Sequence, residues 1–160
     1  MRPILAALGA VALAAVAALP TAAETHAKPA QAAQPIQKRP HRVVIQVTQN
    51  DPVMMNTALN NAENLVKYYE SRGEKVEVEF VAYGPGLAMV RSDTSPVKDR
   101  IASIAGSMKN VTFSGCENTM AAQSKAENKQ VTLLSDAKGV PTGIGRIVEL
   151  QEHGWTYVRP

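Results

Sequence analysis

Runs of β-branched residues alternate along this chain with segments of helical spacing, and that alternation restricts the fold more than any other feature. Val43-Val44-Ile45-Gln46-Val47, within 42–48, has the continuous apolar character of a strand buried on both faces. Asp51 then offers a helix N-cap, and Pro52 takes a first-turn position where its missing N–H does no harm. Met55, Ala58, Leu59, Ala62, Leu65, Val66 and Tyr69 follow at spacings of three and four, and Gly73 ends the helix. Lys75 to Ala82 reads as a second strand through Val76, Val78 and Phe80, closed by the turn Tyr83-Gly84-Pro85-Gly86. Leu87-Ala88-Met89-Val90 is apolar without a decisive period.

The pattern repeats downstream. Ser95-Pro96 opens a helix with Val97, Ile101, Ile104, Ala105 and Met108 on one side, and Asn110 to Ser114 reads as a third strand closed by Gly115-Cys116. A short helix over 117–125, a fourth strand over 130–134, a helix over 142–153 and a last strand over 155–158 complete the order. Strands and helices in regular alternation favour a parallel sheet covered on both faces, an α/β fold.

Charge is unevenly placed. The chain has 160 residues and a formal net charge of +3, but residues 42–160 hold 13 basic and 13 acidic side chains. A neutral domain lacks the clustered positive face that nucleic-acid binding requires. About 120 residues suffice for one core that buries roughly two-thirds of the unfolded surface. The basic surplus lies upstream. Met1-Arg2-Pro3, the uncharged run Ile4 to Leu19 and the small residues after Pro20 read as a secretory signal peptide over 1–23. The run is shorter than the ~20 residues of a membrane-spanning helix, so no stable membrane insertion is expected after cleavage. Residues 24–41, rich in Ala, Pro and Gln, read as a disordered tether before the domain at 42–160. The expected location is periplasmic or secreted.

Ligands of open α/β sheets bind beyond the carboxyl ends of the strands. The residues there are Gln49, Asn50 and Asp51; Tyr83, Gly84 and Gly86; Cys116; and, after the expected fourth strand, Ser135 and Asp136. Cys116 is the one strong nucleophile among them. Where a helix begins, free N–H groups and positive partial charge lower a thiol pKa, whereas Glu117 beside it acts in the opposite direction. A lone cysteine in an exported chain is either a reactive thiol or a buried small hydrophobe. His26, His41, His153 and one cysteine match no zinc-site spacing, and Gly143-Ile144-Gly145 lacks the third glycine of a dinucleotide fingerprint. No metal and no cofactor are expected.

Val43 to Val47, the Asn/Asp turn with its Asn-rich helix, Phe80 to Gly86, Phe113-Ser114-Gly115-Cys116-Glu117-Asn118-Thr119-Met120, Val140 to Gly143 and Gly154 to Val158 together resemble the DsrE/DsrF-like sulfur-relay proteins. The resemblance implies a three-layer α/β/α sandwich with a mainly parallel five-stranded sheet, assembled as a trimer or hexamer. It implies a persulfide carried on Cys116, a sulfur carrier or sulfurtransferase role, and exchange with a sulfane compound or a donor or acceptor protein. Asn50, Tyr83, Gly84 and Gly86 are the expected ligand contacts. The alternative is an oligomeric small-ligand-binding or assembly module in which Cys116 only packs; a third reading is a thiol-oxidation sensor.

Overall fold

The computed structural model describes residues 39–160, so the signal peptide and nearly all of the tether lie outside the described residues. The elements are β1 (His41–Val47), α1 (Pro52–Glu70), β2 (Val76–Ala82), a 3-10 helix (Gly84–Val90), α2 (Lys98–Ser107), β3 (Val111–Cys116), α3 (Glu117–Glu127), β4 (Ala137–Val140), α4 (Gly143–Glu152) and β5 (Thr156–Val158). The strands form one five-stranded sheet in the order β4-β3-β2-β1-β5, and every neighbouring pair is parallel. With helices on both faces, this is a three-layer α/β/α sandwich.

The local signals account for most of these elements. The Asp51 carboxylate accepts the N–H groups of Val53 at 2.8 Å and Met54 at 3.4 Å, which caps α1 with Pro52 in its first turn. Met55, Ala58, Leu59, Ala62 and Val66 are buried along the expected stripe, and Gly73 turns the chain with φ +66°. At Ser95-Pro96 the helix starts later than expected, at Lys98. Ser95 Oγ accepts the Val97 N–H at 3.3 Å and donates to the Met89 carbonyl at 2.5 Å, so the serine closes a loop before the helix begins.

The fourth strand is not at 130–134. That segment runs antiparallel to the residues that end the 3-10 helix, where Ser92 donates to Thr132 and Leu134 to Val90, both at 2.9 Å, around an isolated bridge. Val131 enters the core and Leu133 lies against Gly115, so the most apolar stretch of this region is spent covering β3. The edge of the sheet goes to the less apolar Ala137-Lys138-Gly139-Val140, which suits a half-exposed position. Ser135 and Asp136 therefore precede β4, and Pro141-Thr142 occupies its carboxyl end.

The two faces differ. Val43, Ile45, Val47, Val78, Phe80 and Phe113 pack with α1, α2 and the 3-10 helix in the main core, where Phe80 and Phe113, direct partners across β2 and β3, stack at 5.0 Å. The other face holds Val44 and Val81 under Ile147 and Leu150 of α4. Beside that small apolar cluster Glu79 is 2% exposed. It receives Ser114 Oγ at 2.6 Å and a two-pronged contact from Arg146, Nε at 2.9 Å and Nη2 at 2.8 Å, while Lys138 Nζ stands 3.9 Å away. Burial pushes the Glu79 carboxyl up, but the Arg146 and Ser114 hydrogen bonds and the charges of Lys138 and Arg146 outweigh it and hold the group below its usual value.

A carboxylate with a depressed folded pKa adds stability above its unfolded pKa, and that stability is lost as pH falls through the folded value. Wild-type protein should thus lose stability below about pH 4.3 more steeply than Glu79→Gln, when both are followed by urea unfolding against pH. Arg146→Ala strands a buried charge and should cost about 3–5 kcal/mol at neutral pH. A loss under 1 kcal/mol would show that Lys138 and solvent suffice for Glu79.

Candidate functional site

Cys116 is the last residue of β3 and the residue that caps α3, and it is 5% exposed. The strand runs directly into the helix, which sets the sulfur beside the start of α3 without a side-chain cap hydrogen bond. Burial raises the thiol pKa; the Thr119 hydroxyl and the main-chain N–H groups of Thr119, Gly143 and Asn118 lower it by more, so the net direction is below the ordinary thiol value. Glu117, the residue that obscures the sign in the sequence, turns its carboxylate onto Gly139 of β4, where a Cβ would come within 2.4 Å of Oε1.

Three loops converge on this cysteine. Gly84 donates its N–H to Thr119 Oγ1 at 3.1 Å, which occupies one acceptor position of the hydroxyl and leaves its proton for the sulfur. Gly84 has φ +54°, a left-handed conformation that favours glycine, and its carbonyl accepts Gln123 Nε2 at 3.2 Å. From the β4–α4 turn, the Pro141 carbonyl accepts the Asn118 N–H at 3.4 Å. Gly143 brings its N–H in because it has no side chain: a Cβ there would lie 2.7 Å from the Tyr83 ring. The Tyr83 hydroxyl is bonded to the Gln46 amide, whose oxygen accepts the Tyr157 hydroxyl, tying together β1, β5 and the end of β2.

The structure thus gathers Cys116, Tyr83 and Gly84 at the carboxyl ends of the central strands. Gly86 has another place: it is buried with its Cα against the Val47 carbonyl, where a Cβ would fall 2.3 Å from the oxygen. Asn50 is exposed in the β1–α1 turn, and among the described residues no hydrogen bond joins it to the Cys116 cluster. Asn118, Thr119 and Gly143 lie in segments that carry the resemblance, but sequence reasoning assigned none of them to the site. A hydroxyl three residues after the cap was a legible signal for Thr119, whereas Gly143 depends on where β4 ends.

Two hollows lie at the carboxyl ends of β1 and β4. The hollow lined by Gln46 to Gln49, Met54, Arg159 and Pro160 holds about 20 Å³, room for one water. A recess of about 160 Å³ bounded by Val140, Pro141, Thr142, Arg146 and Glu149 adjoins Val140, the strand partner of Cys116. Among the described residues, no helix is long and apolar enough to cross a membrane, and no three His, Cys, Asp or Glu side chains gather as a metal site.

No family model and no curated protein matches the chain. Among solved structures it is similar to MTH1491 of Methanobacterium thermoautotrophicum, described as a protein of unknown function, with 31% identity and a TM-score of 0.64. The match covers 75% of this chain and 99% of that one. The chain belongs to the same family as MTH1491. That membership carries the fold and brings no assigned activity with it.

The geometry predicts how the thiol titrates. The rate of Cys116 alkylation against pH should inflect below about 8.5, the value of a free cysteine. Thr119→Val removes a hydrogen bond to a charged group, worth about 1.5–3 kcal/mol, and should lower the rate at pH 7 roughly tenfold or more. Thr119→Ser should retain it. An inflection at the same pH in wild type and Thr119→Val would remove the hydroxyl from the account.

Proposed function

We propose that this protein is an exported sulfur carrier of the DsrE/DsrF type, which takes up sulfane sulfur as a persulfide on Cys116 and passes it on. The observation that supports this reading is the set of N–H and O–H donors around a cysteine whose thiol pKa is lowered despite burial. With thiosulfate as donor, the Cys116 thiolate attacks the outer sulfur; that S–S bond breaks with its electron pair leaving on sulfite, and a Cys–S–S⁻ persulfide remains. An acceptor thiolate then attacks the outer sulfur and releases the Cys116 thiolate. Polysulfide or a carrier protein serves equally as donor. Assembly as a trimer or hexamer and a periplasmic or secreted location belong to the same reading, the first through the family resemblance and the second through the leader.

Intact-mass analysis tests it. Protein incubated with thiosulfate or polysulfide should gain one sulfur atom that dithiothreitol removes, and Cys116→Ser should gain none. If wild type gains no reducible sulfur from these donors or from a persulfidated protein, the carrier reading fails. One observation favours the second reading, a binding or assembly module: Cys116 is 5% exposed. A thiol that resists a small alkylating reagent in the native protein would support that reading.

A further inference from the structure

The helix that follows Cys116 is held by a polar stripe. None of the residues of α3 is buried, yet Thr119, Gln123 and Glu127, each about one turn beyond the last, all bond to groups at the two ends of the 3-10 helix Gly84–Val90. Gly84 opens that 3-10 helix, and Arg91 follows its last residue. Thr119 and Gln123 hold Gly84, while Gln123 and Glu127 hold Arg91. Gln123 is the residue common to both ends.

Chemistry fixes the direction of each bond in the stripe. A guanidinium donates and never accepts, so the Gln123 amide oxygen faces Arg91 Nη1 at 3.0 Å. The amide nitrogen is thereby turned to the Gly84 carbonyl, to which it donates at 3.2 Å. A reversed amide would set donor against donor at Arg91 and acceptor against acceptor at Gly84. Gly84 in turn donates its N–H to Thr119 Oγ1 at 3.1 Å. The Thr119 hydroxyl has one proton of its own, and it bonds the Cys116 sulfur. Donors therefore run in one sense, from Arg91 through Gln123, Gly84 and Thr119 to Cys116.

Arg91 starts this series from a fixed point. It is 5% exposed, and its other N–H contacts go to both oxygens of Asp93, at 3.0 and 2.8 Å, and both of Glu127, at 2.6 and 2.7 Å. Lys129 braces Asp93 at 2.6 Å. We propose that Gln123, its amide oriented by Arg91, is a positioning residue for Cys116: it holds Gly84 so that the Thr119 hydroxyl presents its proton to the sulfur. This role rests on the reading of Cys116 as a working thiolate and adds to it a side chain that acts only through Gly84 and Thr119.

Thiolate ultraviolet absorbance against pH, with the Cys116→Ser titration subtracted, tests this role. The chain has one cysteine, and the measurement needs no reagent to reach a buried thiol. Gln123→Met keeps the side-chain length at a half-buried position, removes both amide groups and leaves Arg91 Nη1 bonded to Glu127. Its midpoint should lie about half a pH unit or more above that of wild type, which is roughly a threefold loss of thiolate at a pH below both midpoints. In a Thr119→Val background the same substitution should leave the midpoint where Thr119→Val alone puts it. A Gln123→Met midpoint equal to that of wild type, or an equal rise with and without the Thr119 hydroxyl, overturns the role, whatever the loss of stability in urea. If Gln123→Met fails to fold, Gln123→Glu decides by the same two comparisons, since it keeps the acceptor for Arg91 and lacks the donor for Gly84; a direct effect of its charge would persist without the hydroxyl. Sulfur uptake by intact mass is a separate readout: its absence in wild type overturns the carrier reading, whereas the titrations overturn only the role of Gln123.

Discussion

The handedness of strand crossovers governs how this sheet is clothed. A right-twisted strand feeding a helix packs back onto a parallel sheet in one sense only, so the direction in which strands are added decides the face on which each helix lands. Here β1 to β4 are added in one direction and β5 is added at the far edge. The deep core with Phe80 and Phe113 forms under the first three helices, and the thin cluster of Val44, Val81, Ile147 and Leu150 forms under the fourth. Glu79 follows from the same asymmetry. A carboxylate is tolerated in a central strand because Arg146, on the one helix that covers this face among the described residues, meets it from above.

The Cys116 cluster depends on a helix that is hardly apolar. None of the residues of α3 is buried, although Met120 packs partly against the core. Besides the hydrogen bonds to Gly84 and Pro141, the helix is held by Arg91, 5% exposed, which donates to Gln123 at 3.0 Å and forks onto Glu127 at 2.6 and 2.7 Å while its other contacts go to Asp93. The two-pronged guanidinium–carboxylate geometry makes the contact to Glu127 directional. α3 is thereby fixed at its far end by a charged fork and at its near end by the strand that runs into it. That double constraint fixes the start of α3 beside the sulfur.

Local rules were enough for much of this. Asp51-Pro52 and the Met55-to-Val66 stripe specify α1 because capping and helical period act within a few residues. Cys116 stands out because a strand that turns directly into a helix leaves a recognisable boundary. The misplaced fourth strand shows where local rules end: Val131 to Leu134 has the stronger β character, but an equally apolar layer was needed over β3, and Ala137 to Val140 took the edge. Ser135 and Asp136 left the carboxyl end with that shift, and Pro141 to Gly143 arrived there.

The amino-acid sequence by itself determined the alternation of strands and helices, the neutral charge of residues 42–160 and the position of the one cysteine at a strand's end. These rest on periodicity, capping and counting, which need no knowledge of distant residues. Only the tertiary structure decided that Gly143 comes up to that cysteine, that Glu79 is buried against Arg146, and that, among the described residues, α4 covers the second face of the sheet. Each of those joins segments far apart in the chain, and their meeting depends on strand order and crossover hand, which set long-range neighbours without leaving a local mark.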